Sequence, residues 1–134
     1  MTMQDAIKAM DRAKIELMSK PDTVFFITIC FALRQLWDTT IKTACTNGKC
    51  IKYNPAFFMS LSLEERVFLV LHETLHVAFM HMCRLKGRNP QKWNMAADYV
   101  INDLLILRGF KMPSGGLHDL QYRGMSAEQV YDLI

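Results

Sequence analysis

A chain of 134 residues, 51% of them apolar and 22% charged, is long enough to bury a real core as one domain. Its net charge of +3 is small and its Lys and Arg are scattered, which argues against a nucleic-acid or membrane-surface partner. No apolar run reaches the ~18 residues of a membrane span, and the polar start Met1-Thr2-Met3-Gln4-Asp5 is unlike a secretory signal, so a cytoplasmic protein is expected.

Residues 3–19 read as an amphipathic packing helix, with Ile7, Met10, Ala13, Leu17 and Met18 on one side. Lys20-Pro21 should end it. The apolar stretch 23–36 starts as a short helix and enters a sheet as a strand in its second half. Residues 41–45 and 50–53 then form a hairpin around Asn47-Gly48, a strong two-residue turn signal. That register sets Thr46 opposite Lys49 and Cys45 opposite Cys50. A disulfide is geometrically conceivable there. The other cysteines are Cys30 and Cys83. Their spacings match no zinc-finger pattern, and reduced thiols are the expectation.

Ser62-Leu63-Glu64-Glu65 is a capping box, and it predicts a long helix over 63–84. The helix ends at the polar linker Lys86-Gly87-Arg88-Asn89-Pro90. A third helix should run over 90–107 and stop at Gly109. A loop over 111–116 follows. A second capping box, Ser126 with Gln129, starts a last short helix.

The helix over 63–84 carries His72-Glu73-Thr74-Leu75-His76, an H-E-x-x-H motif. Residues four apart share one helix face, so two imidazoles can bind one metal ion. Glu73 lies about 100° round the helix from His72 and can flank the metal's open position. A zinc hydrolase needs such a set: two His, a third ligand, and a carboxylate that takes a proton from bound water. The flanks Val67-Phe68-Leu69-Val70-Leu71 and Val77-Ala78-Phe79-Met80 are apolar nearly all round, so the helix is buried on most faces. Polar groups in such a helix need partners.

The third ligand has four candidates: His81, Asp98, Asp103 and His118. Nine helical residues rotate by about 900°, which turns His81 away from His72. Residues 77–80 contain no Gly to break the helix. His81 therefore reads as a buried histidine bonded to backbone or to a carboxylate. Asp98 fits by length. Eight residues of helix rise ~12 Å, so a chain that turns back at 86–90 returns to the level of His76 at Asp98. Asn94 and Asn102 share the face of Asp98 and could orient the ligands. A competing partner for Asp98 is an arginine, Arg84 or Arg88. Asp103 projects away from Asp98 as a surface group, and His118 sits in the loop as a free surface histidine.

The stretches 43–48, 53–57, 65–69 and 72–78, then His81, Arg84, 93–102 and 124–131, together resemble the putative metallopeptidase domain of bacteria and their phages. That family is a zincin relative often followed by a von Willebrand factor A-like domain. The resemblance implies zinc on His72, His76 and Asp98, with Glu73 as the catalytic carboxylate. The expected fold class is α+β and zincin-like: a small antiparallel sheet on a long active-site helix with an antiparallel partner helix. Members of that family commonly continue into the further domain, whereas this sequence stops after the helix that begins at Ser126: either a stand-alone form or a fragment, with a partner protein as one source of the missing domain. The host compartment would be the cytoplasm of a bacterium or phage-infected cell.

The expected function is hydrolysis of peptide bonds through a zinc-bound water activated by Glu73, on a protein or peptide substrate. Such a substrate would add as a strand to an edge from the 23–53 region. Tyr99, Tyr122 and Arg123 are candidates to assist at the oxyanion. One alternative is a zincin-like, zinc-binding interaction module without turnover. Another is a structural module without metal.

Overall fold

The computed structural model describes residues 2–20 and 23–134. Helix α1 spans Met3–Met18 and α2 spans Val24–Ala32. Three short strands follow: β1 (Arg34–Trp37), β2 (Ala44–Thr46) and β3 (Cys50–Tyr53). Five further α-helices follow among the described residues: α3 (Pro55–Ser60), α4 (Leu63–Ala78), α5 (His81–Arg84), α6 (Pro90–Leu107) and α7 (Ala127–Leu133). Pro21, expected to help end the first helix, lies outside the described residues.

Helix starts follow their caps. Thr2 with Asp5, Ser62 with Glu65 and Ser126 with Gln129 each form a capping box at α1, α4 and α7. Each box satisfies backbone N–H groups that a first turn leaves free. Asn54 and Asn89 cap α3 and α6, each followed by a proline in the first turn. Gly109 just beyond α6 has φ +86°, and Phe110 N donates back to the Leu105 carbonyl at 3.0 Å. That left-handed exit closes the helix end.

Helix α4 is the centre of the molecule. Val67, Phe68, Val70, Leu71 and Leu75 are buried on it. Helices α1, α2 and α6 and strand β2 pack around it. Leu17, Ile51, Tyr53, Phe58, Ile101 and Leu105 complete one core with those residues. The pairs His72–Asn102 and His76–Asp98 run in opposite senses along the two helices, so α6 lies antiparallel to α4. The chain turns back as its polar linker predicts.

Three expectations need correction. The sheet is mixed, in the order β1-β3-β2. Strand β2 pairs antiparallel with β3, but β1 joins β3 in parallel. The segment from β1 crosses to the far edge before the hairpin begins. Within the hairpin, Cys45 pairs with Lys52 and Thr46 with Ile51. The Asn47 side chain accepts the N–H of Lys49 and of Cys50 at 2.9 and 3.0 Å. This makes the turn four residues long and moves Cys45 away from Cys50. All four cysteines are free.

The third correction concerns the long helix, which does not run through to residue 84. It stops at Ala78, and Met80 takes a left-handed conformation with φ 56° and ψ 37°. The chain swings round and restarts as α5. The Arg84 guanidinium holds the freed Phe79 carbonyl at 2.9 Å. It also forms a two-pronged ion pair with Glu128 of α7. Arg84 is thus engaged away from Asp98.

Candidate metal centre

His72 and His76 project from one face of α4, as their four-residue spacing requires. Asp98 meets them from α6. Its Oδ1 lies 2.9 Å from His72 Nε2 and 3.0 Å from His76 Nε2. The two Nε2 atoms are 3.2 Å apart. Among the described residues, these three form a group able to share one ion.

The spacing itself fits zinc. Tetrahedral ligands at ~2.05 Å from an ion stand roughly 3.3 Å from one another. The observed separations of 2.9, 3.0 and 3.2 Å lie near that value. The donor set, two imidazole nitrogens and one carboxylate oxygen, is one that zinc accepts. One cation held by all three atoms would replace the protons that otherwise bridge the imidazoles to the carboxylate.

Each imidazole of the group is braced at its other nitrogen. His72 Nδ1 lies 2.7 Å from Asn102 Oδ1. The Asn102 amide N–H donates to the Leu117 carbonyl at 2.8 Å, which fixes which way its oxygen points. His76 Nδ1 lies 3.1 Å from His81 Nδ1. Asn94 approaches the second oxygen of Asp98 at 3.5 Å, the far limit of a hydrogen bond.

Titration follows these contacts. Burial works against ionised Asp98, but hydrogen bonds from His72 and His76 outweigh it and hold the carboxyl down at about 2. Burial opposes protonation of His72, yet its bond to Asp98 and the charge of Glu73 raise its pKa above the ordinary value. Glu73 is buried beside the histidines, and that burial raises its carboxyl pKa. Burial also lowers His81, to about 3.

The group opens into a cleft of about 480 Å³ lined by His72, Glu73, His76 and Asp98. Strand β2 with Thr43 and the loop from Met112 to Leu117 also line it. Phe57, Phe68, Met82 and Trp93 give it an apolar part.

Several expected positions change. His81 does not point away, because the break at Met80 returns it against His76. Nothing in the sequence around Met80 signals a left-handed turn. Asp103 is buried rather than on the surface. It is gripped by Arg123 and by His118, whose Nε2 is 2.9 Å away, so His118 is not free. Tyr99 packs on Tyr122 with ring centroids 4.9 Å apart. Neither tyrosine nor Arg123 is among the residues lining the cleft. No helix among the described residues is long and apolar enough to cross a membrane.

The model of a family described as "Putative metallopeptidase domain" matches residues 7–134. No curated protein and no solved structure matches the chain significantly.

Proposed function

The chain belongs to the putative metallopeptidase domain family, and from that premise we propose that it is a zinc-dependent peptidase. His72, His76 and Asp98 would hold the metal, and Glu73 would be the catalytic carboxylate. The observation that carries this reading is the convergence of His72 Nε2 and His76 Nε2 on Asp98 Oδ1 within 3.0 Å, beside buried Glu73.

Zinc, when bound, would lower the pKa of a water toward ~7 and polarise a carbonyl. Glu73 is one residue on from His72 and faces the same cleft. It would accept the water's proton as the water attacks the scissile carbonyl, and then deliver that proton to the leaving amine. Asn102 would keep the His72 imidazole aimed while this happens. Strand β2 is an edge of the sheet and lines the cleft. Its unpaired side offers backbone groups to an extended peptide, which would add as a further strand. The apolar part of the cleft would receive a side chain of that peptide.

Metal content by mass spectrometry, wild type beside Asp98→Ala, tests this reading. One zinc per wild-type chain, lost or much weakened in the variant, is the expected result. Equal metal in both would remove Asp98 from the ligand set. No metal in either, after zinc is added back, would overturn the zinc reading.

A further inference from the structure

His81 lies behind a proposed ligand rather than beside the metal position. It faces the Nδ1 side of His76, whereas Asp98 and His72 face the Nε2 side. The residues able to share one ion do not include it. Its place is nonetheless tightly built. The left-handed Met80 turns the chain back. The Trp93 indole N–H donates to the His81 carbonyl at 2.8 Å. The His81 ring stands edge-on to Trp93, with centroids 5.9 Å apart, and its centroid is 5.2 Å from that of His76. The side chain is buried.

The chemistry of two facing Nδ1 atoms is restrictive. A neutral imidazole has one N–H and one lone pair. If His76 gives its Nε2 lone pair to a metal, its proton must sit on Nδ1. That N–H needs an acceptor, since a buried polar group left unpaired is costly. The atom 3.1 Å away is His81 Nδ1. It can accept only when the His81 proton is on Nε2. The two tautomers are therefore linked: His76 with Nδ1–H and His81 with Nε2–H is the arrangement that leaves His76 Nε2 free to bind.

We infer that His81 is a positioning residue for the metal centre, accepting the His76 Nδ1–H and so fixing the tautomer and ring orientation of that ligand. The inference rests on His76 being a zinc ligand. In many metal sites a carboxylate or a carbonyl fills this role; here an imidazole from the restarted helix does. Asn102 fills it for His72, so each proposed histidine ligand has its own acceptor.

The test compares zinc affinity, by competition with a chromophoric chelator, in wild type, His81→Leu and His81→Asn. Leucine fills space but accepts nothing. Asparagine carries an amide oxygen where histidine carries Nδ1. His81→Leu should weaken zinc binding by roughly 10- to 100-fold, with His81→Asn staying within a few-fold of wild type. Equal affinity in wild type and His81→Leu would overturn the inference, as would equal weakening in both variants.

A second measurement needs no variant. Long-range nitrogen–proton NMR on the zinc-loaded wild type should show Nδ1–H on His76 and Nε2–H on His81. The opposite placement on either ring overturns the inference even if His81→Leu fails to fold. Wild type that binds no zinc would sink the zinc site and this inference together. Zinc binding without the His81 dependence would sink the inference alone.

Discussion

Asn102 donates its side-chain N–H to the Leu117 carbonyl at 2.8 Å. The same side chain accepts from His72. One amide thus braces a proposed metal ligand and fastens the loop that lines the cleft. The two functions can be separated by chemistry. Asn102→Leu removes both, so zinc affinity should fall by roughly 10- to 100-fold and amide exchange in the 112–117 segment should quicken. Asn102→Asp keeps an acceptor for His72 but cannot donate to Leu117. Its zinc affinity should stay close to wild type while the loop still loosens. Matching behaviour of the two variants in both measurements would show that the amide does not have two separable roles.

Glu73→Gln keeps the size of the side chain and removes its capacity to take a proton. Zinc stoichiometry should be unchanged, and peptide cleavage should drop by roughly 10²- to 10⁴-fold, the scale of general acid–base catalysis. A Glu73→Gln protein that cleaves as fast as wild type would exclude Glu73 as the proton acceptor.

Met80 is an exposed non-glycine residue at φ 56°. Left-handed backbone costs such a residue about 1–2 kcal/mol. Met80→Gly removes the clash at this position and should not destabilise the fold in urea unfolding. Met80→Ile adds a β-branched side chain at the same backbone position and should lower stability by about 1–2 kcal/mol. A glycine variant less stable than the isoleucine variant would mean that the Met80 side chain, not its backbone, matters.

The hydrogen bonds from Arg84 hold Glu128 at about 2, below the ordinary carboxylate range. A pKa lowered by folding stabilises the folded state above the unfolded pKa, about 4.3 for Glu, and that stability is lost as pH falls toward the folded value. The stability gap between wild type and Glu128→Gln should therefore be full at neutral pH and shrink between about pH 4.3 and pH 2. Urea midpoints measured from pH 7 to pH 3 check this. A gap independent of pH would show that the ion pair does not link α5 to α7 energetically.

Much of the site is legible from spacing. The four-residue interval between His72 and His76 fixes a shared helix face, because a helix turns once in ~3.6 residues. Ser62 with Glu65 and Asn89 with Pro90 mark the helix starts, since free N–H groups need those side chains. The length of the linker then brings Asp98 level with His76. These features are set by backbone hydrogen bonding over a few residues, so the helical pair and its three convergent side chains can be read from the chain alone.

The surroundings of these side chains come from packing between distant elements. The turn at Met80 defies local preference and holds because Trp93, Arg84 and Glu128, from three helices, tie the restarted segment down. The parallel pairing of β1 with β3 and the burial of Asp103 between Arg123 and His118 also depend on residues distant in the chain. No local pattern encodes such contacts. Their gain appears only when the elements pack, and His81 stands against His76 for that reason.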